Sequence, residues 1–191
     1  RPPKRPSSAT ALAAIILQSS QNDMHGGQSF AYFDYDMAGF VEGASDDEIY
    51  QAMEALIYNL NSMHSRAGAQ VPFSSINLGT DTSPAGRAVT KNLLLAFERG
   101  LGRGETPIFP NIIFRLKKGV NFEPGDPNYD LFRLALRVAS KRMNPTFSFM
   151  DSSFNRIYEE EVAYMGCRTR VISNRRGPEV VVGRGNLSFT S

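Results

Sequence analysis

The chain has one cysteine, Cys167, set in Ala163-Tyr-Met-Gly-Cys-Arg-Thr-Arg170. Arg168 and Arg170 place positive charge beside the sulfur, which favours a thiolate or an anionic ligand. Gly166 permits a tight backbone turn, and apolar Met165 keeps water from that side. The same residues also suit a buried cysteine that acts as a small hydrophobe, and from the residues alone both readings stand. No base partner can be named. Neither His25 nor His64 lies in a convincing base context, so neither a cysteine–histidine pair nor a serine triad is supported. One cysteine and two histidines cannot supply the four ligands of a structural zinc site, and a disulfide within the chain is excluded, so no metal is expected on it. Gly100-Leu-Gly-Arg-Gly-Glu105 looks like a phosphate-binding loop, but it follows a helix where that loop must follow a strand. It reads as a helix C-cap and a turn. Glu159-Glu-Glu161 reads as a solvated charge run. Asn186, within Gly183-Arg-Gly-Asn-Leu-Ser-Phe189, offers both a donor and an acceptor and suits the capping of a turn.

These groups need a scaffold, and the composition provides one. The 191 residues are 41% hydrophobic and 21% charged, with 13 Phe and 7 Tyr, enough for a packed core and too apolar for a disordered chain. The net charge of +2 goes with no nucleic-acid-binding module, so direct contact with nucleic acid is not expected. Arg168, Arg170, Arg175, Arg176 and Arg184 against Glu179 form a local basic excess, either a solvated loop face or a surface that meets phosphate. The longest apolar run, Ala11 to Leu17, is far below the roughly 20 residues of a membrane span. No secretory signal is evident, and a cytoplasmic protein is expected. The chain starts without Met and stops at Ser191 in a strand-like run, as an internal piece of a longer protein would.

Helix and strand signals alternate. Ser8 to about Asn22 has helical composition. The glycines after His25 break it, and the aromatic run Phe30 to Phe40 follows. Ser45-Asp-Asp-Glu48 is a capping box that opens a helix to near His64, with Ile49, Met53, Leu56, Leu60 and Met63 on one face. Gln70 to Leu78 reads as a strand. Ser83-Pro84 starts a helix that runs to Gly100. Ile108 to Leu116 is a strand, Asp126-Pro127 opens a helix to Asn144, and Thr146 to Met150 is a short strand. Val180 to Val182 and Leu187 to Phe189 are the last β candidates. The order β–α–β–α–β implies parallel strands joined by helical crossovers, hence an α/β fold. The apolar run Pro110-Asn-Ile-Ile-Phe114 fits a strand covered on both faces.

The motif Met165-Gly-Cys-Arg-Thr-Arg-Val171 resembles the radical-cysteine finger loop of anaerobic (class III) ribonucleoside-triphosphate reductases, which are glycyl radical enzymes. Gly183 to Phe189 is similar to the strand after that loop. Ser65-Arg-Ala-Gly-Ala-Gln-Val-Pro-Phe-Ser-Ser-Ile-Asn-Leu-Gly-Thr-Asp-Thr-Ser83, Gly125-Asp-Pro-Asn-Tyr-Asp-Leu-Phe132 and Lys141-Arg-Met-Asn-Pro-Thr-Phe-Ser-Phe149 also resemble family segments, in the family's order. The matches extend from about Ser8 to the end.

The resemblance implies a ten-stranded α/β barrel of two half-barrels. This chain would form most of the first half, the finger loop at about residues 162–172 and the start of the second half, in a single segment. It implies thiyl-radical catalysis at Cys167, a substrate or formate contact at Asn186, and a substrate loop with Met165, Gly166 and Arg168. It also implies effector loops at His25, Gly26, Gly27 and Gln28 and at Arg66, Gly68 and Gln70. The substrates would be ribonucleoside triphosphates, the reductant formate, and the effectors deoxynucleotides and ATP at a homodimer interface. This chain would hold no cofactor. The full enzyme would use a glycyl radical, a structural zinc, and a radical-generating activase with an iron–sulfur cluster and S-adenosylmethionine. The family's zinc cysteines, its radical glycine and its second active-site cysteine match nothing here. A formate-lyase-like radical enzyme is one alternative, although such enzymes usually carry two adjacent cysteines. A nucleotide-binding or assembly module without chemistry is the other. The helices from Ser45 and Ser83 are expected to present apolar stripes to a partner, and the isolated chain to associate.

Overall fold

The computed structural model describes residues 2–24, 26–64, 68–157, 162–166, 169–173 and 186–188, with residues 171–173 and 186–188 described by their backbone alone. Helix α1 (Pro6–Asp23) opens with proline at its first position, where no amide donor is needed. Strand β1 (Gln28–Phe30) and helix α2 (Phe33–Val41) share the aromatic run between them. Helix α3 (Asp46–Ser62) has the complete capping box: the Ser45 hydroxyl accepts from the Glu48 amide, and the Glu48 carboxylate accepts from the Ser45 amide. Strand β2 (Ser74–Leu78), helix α4 (Pro84–Arg99), strand β3 (Asn111–Leu116), helix α5 (Tyr129–Arg142) and strand β4 (Thr146–Phe149) follow. Three short strands complete the order: β5 (Ala163–Met165), β6 (Thr169–Ser173) and β7 (Asn186–Ser188). Among the described residues no helix is long and apolar enough to cross a membrane.

Strands β1 to β4 form one sheet in chain order, every neighbouring pair parallel. This is the mixed α/β class that the alternation of signals implies. Strands β5, β6 and β7 form a second, antiparallel sheet. Ile76, Leu78, Ile112, Phe114 and Leu116 share one continuous core with Val89, Leu93 and Phe97 of α4 and Leu131, Ala135 and Val138 of α5. Burying such side chains supplies roughly 1.5–3 kcal/mol each, the main stabilising contribution.

The boundaries differ from the sequence reading where polar side chains intervene. The strand expected from Gln70 begins at Ser74, and the one expected from Ile108 begins at Asn111. Residues just before β3 are held by Asn61, whose Oδ1 accepts from the Ile108 and Phe109 amides and whose Nδ2 donates to the Phe109 carbonyl. Asp126 does not cap α5. Its carboxylate accepts from the Phe122 and Glu123 amides, closing the preceding turn, and the helix starts at Tyr129. Gly100 is the C-cap of α4, with φ of 83°, and a turn follows it as expected. The other cap was not evident: the Arg142 guanidinium donates to the Glu98 and Arg99 carbonyls at the end of α4.

The helices from Ser45 and Ser83 do not carry the expected exposed apolar stripes. Their apolar residues Ile49, Met53, Leu56, Val89, Leu93 and Phe97 are buried in the shared core. It is α1 that exposes Leu12, Ile15 and Ile16.

Glu98 ties α4 to α5 through Arg137 at 2.7 Å and Lys141 at 2.9 Å. The Arg137 hydrogen bond is the largest influence holding its carboxyl below the ordinary 4.5. A depressed acid contributes stability above its unfolded value and loses it as pH falls through the folded one. Both cations are more than half exposed, so the contribution is about 1 kcal/mol or less. Urea unfolding should therefore show Glu98→Gln less stable than wild type at neutral pH, with the gap closing below 4.5. A gap that widens on acidification would contradict this assignment.

Candidate active site

Alternate residues of a strand face opposite sides of a sheet. On the side facing away from the helices, the register places Ser29 beside Ser75, Asn77 beside Ile113 and Thr146, and Arg115 beside Ser148. This side is polar and nevertheless buried: Ser75, Asn77 and Arg115 have no exposed surface and Ser148 is 7% exposed. Both faces are covered, as the apolar run in β3 suggested, but only one is hydrophobic. A buried polar face is costly unless its groups find partners, so what those partners are identifies the site.

Much of that partnering goes to the β5–β6 hairpin. Asn77 Nδ2 donates to the Tyr164 carbonyl at 2.8 Å, and Asn77 Oδ1 accepts from the Tyr164 amide at 2.9 Å. Nδ2 also reaches the Phe30 carbonyl and the Ser29 hydroxyl, and Ser29 Oγ donates to the Tyr164 carbonyl at 2.8 Å. A second latch comes from the turn after β4. Tyr164 donates its phenol to Asn155 Oδ1 at 3.3 Å, Asn155 Nδ2 donates to the Phe149 carbonyl, and the Arg170 guanidinium lies 3.9 Å from the centre of the Phe154 ring. The third contact is backbone on backbone. A Cβ at Gly27 would stand 3.0 Å from Gly166 Cα and 2.8 Å from the Phe73 ring, so only glycine fits there.

Between the hairpin and strands β3 and β4 lies a cavity of about 620 Å³, lined among others by Thr146, Ser148, Asn155 and Tyr164. That volume lies within the range of small-molecule sites. Ser148 lines it, but its hydroxyl is buried and has no hydrogen-bond partner among the described residues.

Behind this face, at the ends of β2 and β3, the fully buried Asp34 carboxylate accepts from the Gly79, Thr80 and Asp81 amides at 2.8, 3.1 and 3.1 Å. Arg115 Nη2 stands 3.4 Å from it, and the same guanidinium lies 4.7 Å from the centre of the Tyr32 ring. Burial pushes the Asp34 carboxyl above its ordinary 3.8, while Arg115 and the Asp81 and Gly79 amides pull it back.

The residues singled out from the sequence separate into groups. Cys167 and Arg168 join β5 to β6 and lie outside the described residues, as do His25, Arg66 and the acidic run at 159–161. Met165 closes β5 opposite Thr169, and Gly166 has φ of 57°, the left-handed backbone expected of a turn glycine. Gly27 meets Gly166, so the hairpin and the glycine loop, read separately in sequence, touch. Gly26 is open to solvent, while Gln28 is buried at the start of β1 and its amide bonds the Phe73 carbonyl. Gly68 and Gln70 are exposed on the segment leading to β2, and His64 is exposed at the end of α3. Asn186 begins β7, paired with Ser173 of β6. Among the described residues no cluster of three or more His, Cys, Asp or Glu side chains could hold a metal ion.

The sequence reading missed Ser29, Asn77, Arg115, Ser148, Asn155 and Tyr164. The signal was present as period-two alternation: polar Ser75 and Asn77 flank Ile76, and polar Thr146 and Ser148 flank Phe147.

Comparison with known proteins places the chain in a family. The family described as anaerobic ribonucleoside-triphosphate reductase matches residues 1–191. The reductase of that name from Haemophilus influenzae is 32% identical over all of this chain, which spans 30% of the relative's length. The one from Enterobacteria phage T4 is 33% identical over 99% of the chain and 36% of its own length. The chain thus spans about a third of these relatives. Among solved structures, the anaerobic ribonucleotide reductase from Thermotoga maritima in complex with dATP and CTP superposes on 80% of this chain and 29% of its own, with a TM-score of 0.55 at 17% identity, a likeness of fold. With every residue of this chain inside the family match, and the curated relatives aligned along its full length, the chain belongs to the anaerobic ribonucleoside-triphosphate reductase family.

Proposed function

We propose that this chain is the central catalytic segment of an anaerobic ribonucleoside-triphosphate reductase, with Cys167 as the residue that attacks the sugar. One observation carries this reading: a buried polar sheet face grips the strand leading into Gly166-Cys167-Arg168 and leaves a cavity of about 620 Å³ beside it. The four-stranded parallel sheet is then most of one half of a ten-stranded barrel, with the β5–β6 hairpin at its centre.

The chemistry follows from hydrogen-atom transfer. A Cys167 thiyl radical takes the hydrogen atom from the ribose 3′ carbon, forming S–H and leaving a carbon radical. The 2′ hydroxyl then departs as water on gaining a proton. Formate, the proposed reductant, supplies two electrons and becomes carbon dioxide, and the thiol returns its hydrogen atom to the 3′ carbon. The net change is ribonucleotide, formate and a proton to deoxyribonucleotide, carbon dioxide and water. In the full enzyme a glycyl radical would supply the one-electron oxidation that converts the Cys167 thiol to its thiyl radical. This chain's own residues supply orientation. Tyr164 and Asn155 wall the cavity on the hairpin side and orient what binds in it. Asn186 is the proposed contact to substrate or formate, with Met165, Gly166 and Arg168 the loop against the substrate. The segments carrying Gly26, Gly27 and Gln28 and Arg66, Gly68 and Gln70, with His25, are the proposed effector loops. Deoxynucleotide or ATP effectors, a homodimer and a cytoplasmic setting complete the proposal.

Deuterium at the ribose 3′ carbon tests it. In the activated full-length enzyme, the substrate carrying it should turn over more slowly and return the label to the same carbon of the product. Complete loss of the label to solvent, or turnover with no isotope effect under single-turnover conditions, would remove the proposed step.

A further inference from the structure

We propose that Asn77 is a positioning residue for Cys167, acting through the backbone of Tyr164; this rests on the reading of Cys167 given above. The side chain of Asn77 is fully buried, and both ends of its amide are committed to one residue of the hairpin. By donating to the Tyr164 carbonyl and accepting from the Tyr164 amide, it makes the pair of bonds that a neighbouring strand would make. The hairpin therefore needs no strand partner on that side and is fixed in both translation and twist. Ser29 adds a further donor to the same carbonyl, and Nδ2 of Asn77 is fixed in turn by the Phe30 carbonyl. Tyr164 stands three residues from Cys167, with paired strand residues Met165 and Thr169 enclosing the connection. A shift at Tyr164 passes to Met165 and its partner Thr169, the residues that bracket the connection carrying Cys167, because two strands in register cannot slide independently. Tyr164 also walls the cavity, so the same amide fixes a wall of the cavity and the strand that leads into Cys167.

No aspartate, serine or alanine reproduces this. Asn77→Asp keeps the acceptor for the Tyr164 amide, but it loses the donor and turns oxygen toward the Tyr164 and Phe30 carbonyls. Misplacement of a reacting group by about 1 Å costs on the order of 100-fold in rate. In the activated full-length reductase, Asn77→Asp and Asn77→Ala should lower kcat by about that factor with KM changed far less. Hydrogen exchange of the peptide containing Tyr164 should speed up in the same proteins. An asparagine that only stabilised the fold would lower the melting temperature and leave kcat of the folded enzyme unchanged, which would overturn the proposal. So would loss of kcat with wild-type exchange at Tyr164. Should the Asn77 variants not fold, Ser29→Ala carries the test. It removes one bond to the same carbonyl and should lower kcat several-fold with faster exchange, and wild-type values of both would overturn the proposal. Activity in Cys167→Ser would remove the underlying reading of the cysteine. Wild-type kcat in the Asn77 variants alongside an inactive Cys167→Ser would remove the positioning role alone.

Discussion

Asp34→Ala should destabilise the protein more than any other single substitution behind the site. Its carboxylate is the shared acceptor of three consecutive amides at the end of β2, and it faces Arg115. Truncation leaves these donors buried around an empty space, together with a guanidinium that has lost its carboxylate. Removing one partner of a buried pair costs about 3–5 kcal/mol, and each stranded amide adds to the penalty without strict additivity. For a unit of about 200 residues, this corresponds to a fall in Tm on the order of 10 °C. The reverse truncation should cost less. In Arg115→Met the carboxylate keeps its three amides, and the methionine fills much of the volume among Tyr32 and the strand residues. Thermal unfolding of the two variants checks the order. Arg115→Met as damaging as Asp34→Ala would mean that the ion pair, and not the cradle of amides, is what holds the end of β2.

That cradle marks the limit of what the sequence discloses. Strands β2, β3 and β4 and the helices α1, α3, α4 and α5 are legible because burial in the shared core enforces apolar spacing, as in Val89, Leu93 and Phe97. The Ser45 and Ser83 caps are equally local, each bonding an amide three residues away. Asp126 misleads because aspartate caps turns as readily as helices. Helix α2 is obscured because Phe33 to Val41 is short and its aromatic run continues from a strand. The site is harder for a different reason. Asn77 and Tyr164 are 87 residues apart, and nothing local announces that a strand asparagine will serve as the neighbour of a distant backbone. The alternation of polar and apolar residues in β2 and β4 does signal a polar face. What it lacks is any sign that the face is buried, and burial is what turns those side chains from surface decoration into a cradle for the hairpin.

The claim at the centre of this account is that Cys167 performs the chemistry, and Cys167→Ser tests it most directly. The exchange of sulfur for oxygen is nearly isosteric, so the hairpin contacts at Tyr164, Gly166 and Arg170 have no reason to change. An O–H bond is much stronger than an S–H bond, so a serine cannot be converted to the required radical by a donor matched to a thiol. In the activated full-length enzyme, measurement of deoxynucleotide formation should give no product above background, with the melting temperature and hydrogen exchange at Tyr164 close to wild type. Deoxynucleotide formation by Cys167→Ser at the wild-type rate would contradict the account.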